Sequence, residues 1–154
     1  SLTFNNLNPP PSVPQARESS WQHPDFAPPL ATLFTAPAGY DFAASGSTTI
    51  GPGSIEVYTS AAIPGWQASL LVTGMRTGAL YRATLGADGR TIVGAPLVYF
   101  RQADRYRDTA VAPDGRRLFV VTDNAGTTTD PRGQRNDVLA HPGALLEYTY
   151  APGR

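Results

Sequence analysis

The chain has 154 residues, 41% hydrophobic and 16% charged, with 12 basic and 12 acidic side chains in balance. That composition supports one ordinary core and gives no basis for bulk nucleic-acid binding. Cysteine is absent, which excludes disulfides and thiolate metal sites but leaves the compartment open.

In chain order, residues 1–20 read as a loop or linker, because Asn5, Asn6, Asn8, Pro9, Pro10, Pro11 and Pro14 offer little to bury. No signal peptide is expected in residues 1–20. The first residue is Ser1 rather than Met, so the chain is expected to have been processed, trimmed or cut from something longer. From Trp21 to residue 154 the pattern changes. Strands are predicted at Leu30–Thr35, Ile55–Thr59, Ser69–Gly74, Leu80–Leu85, Leu97–Phe100, Asp108–Ala112, Leu118–Thr122 and Leu145–Tyr150. Each is rich in Val, Leu, Thr, Tyr or Phe and bounded by Gly, Pro, Asp or Asn. Two hairpins stand out. Ala87-Asp88-Gly89-Arg90 joins Leu80–Leu85 to the region of Thr91–Val93, and Pro113-Asp114-Gly115-Arg116 joins Asp108–Ala112 to Leu118–Thr122. Both carry the Asp-Gly pair that tolerates positive φ. No sustained 3.6-residue periodicity and no run of about 18 apolar residues occurs, so almost no helix and no membrane span is expected.

Fifteen glycines and fifteen prolines fit many turns and short strands. The repeated Asp-Gly hairpin suggests four-stranded units like the blades of a β-propeller. Eight strands make about two blades, which cannot close a ring; a sandwich is the other all-β reading.

All 12 basic residues are arginine, as a GC-rich genome would encode. Arg105 and Arg107, in Arg105-Tyr106-Arg107-Asp108, are two residues apart in an extended segment and so share a face. Neighbouring guanidinium groups repel unless an anion lies between them, and arginine is well shaped to grip a carboxylate through paired hydrogen bonds. On the residues alone, that anion is either a bound ligand or a protein carboxylate such as Asp104, Asp108 or one from a neighbouring sheet.

A longer set of residues carries a resemblance. Glu18-Ser19-Ser20-Trp21, Phe26-Ala27-Pro28-Pro29-Leu30 and Thr32-Leu33-Phe34-Thr35 come first. Gly65-Trp66, Ser69-Leu70-Leu71-Val72, Arg76-Thr77-Gly78-Ala79-Leu80-Tyr81-Arg82 and Phe100 follow. Then come Arg105-Tyr106-Arg107-Asp108, Pro113-Asp114-Gly115, Thr122-Asp123-Asn124-Ala125-Gly126 and the run from His141-Pro142-Gly143 to Tyr150. In this order, from about Val13 to the end, the chain resembles the C-terminal part of the soluble quinoprotein glucose dehydrogenases. These are six-bladed β-propellers that use pyrroloquinoline quinone (PQQ).

The resemblance implies an all-β fold in which this chain supplies about the last two blades. It implies that Arg105 and Arg107 contact the quinone. Arg76, where the family often has lysine, would do so as well, together with Thr49 (or Thr48). It implies oxidation of an aldose at C1 to the lactone, with electrons leaving to a separate acceptor. The family's catalytic histidine and its calcium site belong to earlier blades, so no catalytic or metal-binding residue is assigned in this chain and the chain alone is expected to be inactive. The remaining blades, in the same or a separate chain, are then a required partner; a homodimer, a periplasmic or secreted location, and no nucleic acid or membrane span complete the expectation. The segment Asp41–Thr48 is small where many relatives carry a cysteine-bounded aromatic stretch, which opens the pocket to other aldoses and alcohols. A non-catalytic propeller that binds sugars or a protein is the rival.

Other residues are given plainer roles. His141 reads as a turn residue and His23 as exposed. Asp123-Asn124-Ala125-Gly126 lacks calcium-loop spacing and reads as a blade-end turn. Trp21 and Trp66 read as packing residues, and Arg116 and Arg117 as solvated.

Overall fold

A computed structural model describes residues 12, 22–32, 39–40 and 49–152. The chain divides into two units, Ser1–Pro29 with Ala36–Ser47, and Leu30–Thr35 with Thr48–Arg154. In the first, the described residues include a turn at Pro24-Asp25, where the Asp25 N–H donates to His23 Nδ1 at 3.2 Å. The expected linker over residues 1–20, apart from residue 12, lies outside the described residues. So do Trp21, Leu33–Thr35 of the first expected strand, and the segment Asp41–Thr48.

The second unit is all-β. Its strands are β1 (Pro52–Tyr58), β2 (Ser69–Gly74), β3 (Ala79–Leu85), β4 (Ile92–Tyr99), β5 (Tyr106–Val111), β6 (Arg117–Thr122), β7 (Thr128–Thr129), β8 (Arg135–Asn136) and β9 (Leu145–Thr149). They form a four-stranded antiparallel sheet in the order β1-β2-β3-β4, a three-stranded sheet β5-β6-β9, and a small hairpin β7-β8. Among the described residues there is no helix. A four-stranded meander followed by a three-stranded one is a partial β-propeller.

Three differences from the expected strands have local causes. Leu30–Thr32 is not extended into a strand. The expected strands near Thr91–Val93 and Leu97–Phe100 are one strand, β4, which passes through Gly94 (φ 71°) and Pro96. The register against β3 shifts between Arg82 and Thr84, and as an edge strand β4 tolerates the missing proline N–H. The β7-β8 hairpin was not expected, because Thr128-Thr129 and Arg135-Asn136 carry no apolar alternation.

Both Asp-Gly hairpins are present. Asp88 Oδ1 accepts from the N–H groups of Arg90 and Thr91 and from the Thr91 hydroxyl. Asp114 Oδ1 accepts from the N–H groups of Arg116 and Arg117, and Arg117 Nε donates to Asp114 Oδ2 at 2.8 Å. The aspartate thereby closes its own turn, which is why the residue type marks the position.

The core lies where the two sheets meet. Tyr58, Ile63, Trp66, Leu71, Leu80 and Leu118 are buried, with Tyr99, Phe100, Val111, Tyr148 and Tyr150 against them. Trp66 is a packing residue, edge-on to Tyr58 and tilted onto Tyr99. The Tyr58 hydroxyl donates to the Gly115 carbonyl at 2.5 Å and accepts the Ile63 N–H, so it locks the four-stranded sheet to the second Asp-Gly turn. Beside the core is an apolar cleft of about 630 Å³, lined by Trp66, Tyr99, Phe100, Tyr148 and Tyr150 among others.

Candidate functional site

One end of both sheets collects the residues singled out by sequence. At this end β1 and β3 begin, β2 and β4 end, β5 and β9 begin and β6 ends. Thr49 precedes β1, Arg76 follows β2, Arg105 precedes β5 and Arg107 is its second residue. The Thr49 hydroxyl oxygen accepts the Gly51 N–H at 3.0 Å. Thr48, the alternative to Thr49, lies outside the described residues.

Arg105 and Arg107 do flank an anion, and within this chain it is the Asp123 carboxylate. Arg107 grips it with two parallel bonds, Nε to Oδ1 at 2.7 Å and Nη2 to Oδ2 at 2.9 Å. Arg105 Nε donates to Oδ2 at 3.0 Å, and its Nη1 donates to the Thr127 carbonyl at 2.6 Å. The Asp123 side chain is only 14% exposed. The hydrogen bonds from Arg107, with those from Arg105, outweigh that burial and hold the carboxyl below its usual range. The same bonds raise the Arg107 guanidinium further. Two guanidinium groups thus share one carboxylate at the strand end.

The sequence carries a signal for the partner at Asp123. A hairpin pairs residues symmetrically about its turn, and the Asp114-Gly115 turn sets Thr109 against Val120 and Asp108 against Val121. A bulge between Tyr106 and Asp108 then shifts the register so that residue 123 comes opposite Arg105, and the Asp123 N–H bonds the Arg105 carbonyl at 3.0 Å. Gly126 then lets the chain run close under Arg105: at φ 118° it has no side chain where the Arg105 guanidinium lies. Asp123-Asn124-Ala125-Gly126 is thus a sheet-end turn.

Arg76 is half-buried, and its side chain makes no hydrogen bond or ion pair with any other described residue. Its backbone is held firmly: its N–H donates to the Ile50 carbonyl, and its own carbonyl accepts from the Thr129 N–H at 2.8 Å and the Thr129 hydroxyl at 2.9 Å. The Thr128 hydroxyl reaches both this carbonyl and that of Asp104. The β7-β8 hairpin therefore ties the Arg76 turn to the segment that leads through Asp104 and Arg105 into β5. Behind them, burial pushes the Tyr106 hydroxyl far above its ordinary range; it bonds the Phe100 carbonyl and the Tyr148 hydroxyl.

His141 lies in a turn, as expected, but it is also bonded through its side chain. Its Nδ1 stands 2.8 Å from Oδ2 of Asp104, whose other oxygen accepts the His141 N–H at 2.7 Å. Among the described residues no three His, Cys, Asp or Glu side chains come together as a metal site.

The partial propeller is the fold of a sugar dehydrogenase family. The chain matches the Glucose / Sorbosone dehydrogenase family over residues 34–129, and it belongs to that family. Over 148 residues it is 34% identical to Quinoprotein glucose dehydrogenase B of Acinetobacter calcoaceticus, an alignment covering 90% of this chain and 31% of that relative. The chain therefore spans less than a third of the relative's length. Among the described residues no helix is long and apolar enough to cross a membrane.

Proposed function

We propose that this chain is the cofactor-gripping portion of a PQQ-dependent dehydrogenase that oxidises an aldose at C1 to its lactone. The carrying observation is one strand end with two arginines on a single aspartate and a third arginine, Arg76, that has no counter-ion among the described residues. A ligand bearing several carboxylates fits this donor set, because guanidinium groups bind carboxylates through paired, charge-assisted bonds. In this reading Arg76, Arg105, Arg107 and Thr49 hold the quinone. The quinone, when bound, supplies the acceptor for the two electrons of sugar oxidation. Arg107 and Arg105 bind and orient its carboxylates, with Asp123 fixing both guanidinium groups beforehand so that little ordering remains for the binding step. Arg76 contributes positive charge to the site. Calcium and the proton acceptor belong to polypeptide outside this chain, and electrons pass on to a separate acceptor.

The test is titration of PQQ into the metal-loaded, full-length polypeptide. Each charge-assisted bond is worth about 1.5–3 kcal/mol, so Arg76→Ala is expected to weaken PQQ binding at least tenfold. Unchanged affinity would overturn the assignment. The engagement of Arg105 and Arg107 by Asp123 favours a second reading, a non-catalytic propeller whose arginines only brace the strand end. That reading predicts no PQQ binding at all.

A further inference from the structure

We propose that His141, oriented by Asp104, is a hydrogen-bond partner for a hydroxyl of the polyol substrate, and so a specificity-determining residue; this rests on the sugar dehydrogenase reading above. Asp104 is fully buried, and both of its carboxylate oxygens are committed to His141, one to the backbone N–H and one to the ring. A buried carboxylate is costly unless it is fully bonded. An ionised carboxylate can only accept, so Nδ1 carries the proton it shares with Asp104, and Nε2 is the ring nitrogen left to meet a substrate hydroxyl. The ring is 46% exposed, and its Nε2 has no partner among the described residues.

The placement is the second observation. The Thr122 hydroxyl donates to the His141 carbonyl at 2.5 Å, and the Gly143 N–H donates to the Asp123 carbonyl at 2.9 Å. The His141 segment is thus fastened to the same end of β6 whose Asp123 binds the arginine pair. A turn that needed only a cap would be satisfied by the backbone bond to Asp104. The additional ring bond fixes the direction of an otherwise free, exposed imidazole.

The experiment uses the full-length polypeptide with 15N-labelled histidine, with and without bound PQQ, titrated with D-glucose. The His141 ring is expected in the form protonated on Nδ1, with the Nε2 resonance moving on sugar addition. In the PQQ-loaded protein, His141→Leu should raise KM for D-glucose about three- to tenfold, the worth of one neutral hydrogen bond, with kcat and PQQ affinity unchanged. His141→Gln, which keeps a hydrogen-bonding group, should restore most of the loss. Asp104→Asn should lower the fraction of the Nδ1-protonated ring. A ring protonated on Nε2 alone, an Nε2 resonance unmoved at saturating sugar, or an unchanged KM in His141→Leu would each overturn the proposal. A protein that binds no PQQ defeats the function proposed above, and the ring's response to sugar then still decides this one.

Discussion

At the scale of single residues, the controlling feature is one carboxylate shared by two guanidinium groups. Removing the charge at Asp123 leaves Arg105 and Arg107 facing each other across an uncharged amide. Arg107 is half exposed and solvent screens it, so the loss is smaller than for a fully buried pair. Asp123→Asn is expected to destabilise the full-length polypeptide by about 1–2 kcal/mol in urea unfolding at pH 7. The sign with pH follows from the lowered pKa of the Asp123 carboxyl. Asp123 in the folded chain titrates below its unfolded value of about 3.9. Its contribution is therefore fully present above about pH 4 and is lost as pH falls through the folded value. The difference in urea midpoint between wild type and Asp123→Asn should be flat from about pH 5 to 7 and shrink below about pH 4. A difference that grows on acidification would contradict the assigned ion pair.

At the scale of elements, the hairpins were the most legible part of the chain, because an Asp-Gly turn carries its mechanism in its residue types. The two turns nevertheless sit in different surroundings. Gly89 has φ 63° and open space where a side chain would stand; Gly115 has φ 67° and lies against the side chain of Ser60. Alanine at Gly89 meets only backbone strain, about 1 kcal/mol. Alanine at Gly115 meets the same strain plus a collision, and is expected to cost about 2–4 kcal/mol. Thermal unfolding of the two variants side by side checks this; equal losses would show that the turn is not packed against Ser60. What was not legible had two physical origins. The β7-β8 hairpin is too short and too polar to leave a period in the sequence. The Asp104–His141 pair joins residues 37 positions apart, and no local pattern reports such a contact. The arginine cluster lay between these cases. Its two arginines announced an anion by their spacing alone, whereas choosing Asp123 required the hairpin register.

At the scale of the whole molecule, the apolar surface of the four-stranded sheet is the informative quantity. Ile55 and Val57 alternate on one face of β1 and are 62% and 51% exposed; Val93, Leu97 and Val98 are exposed on β4. Alternation places Ile55 and Val57 on one side of the pleat, where a strand with a wet face would carry polar residues. A monomer seldom leaves such a patch open. The chain also spans under a third of its relative's length, so this face is expected to be covered in the complete protein by a further sheet. The double substitution Ile55→Thr and Val57→Thr separates the two situations. In the 154-residue chain it should change stability by less than about 0.5 kcal/mol, as surface substitutions do, while lowering binding of an apolar dye. In the full-length polypeptide the same change removes buried methyl and methylene groups and should cost about 2–4 kcal/mol. Equal effects in the two contexts would mean that the face stays open to water in the complete protein.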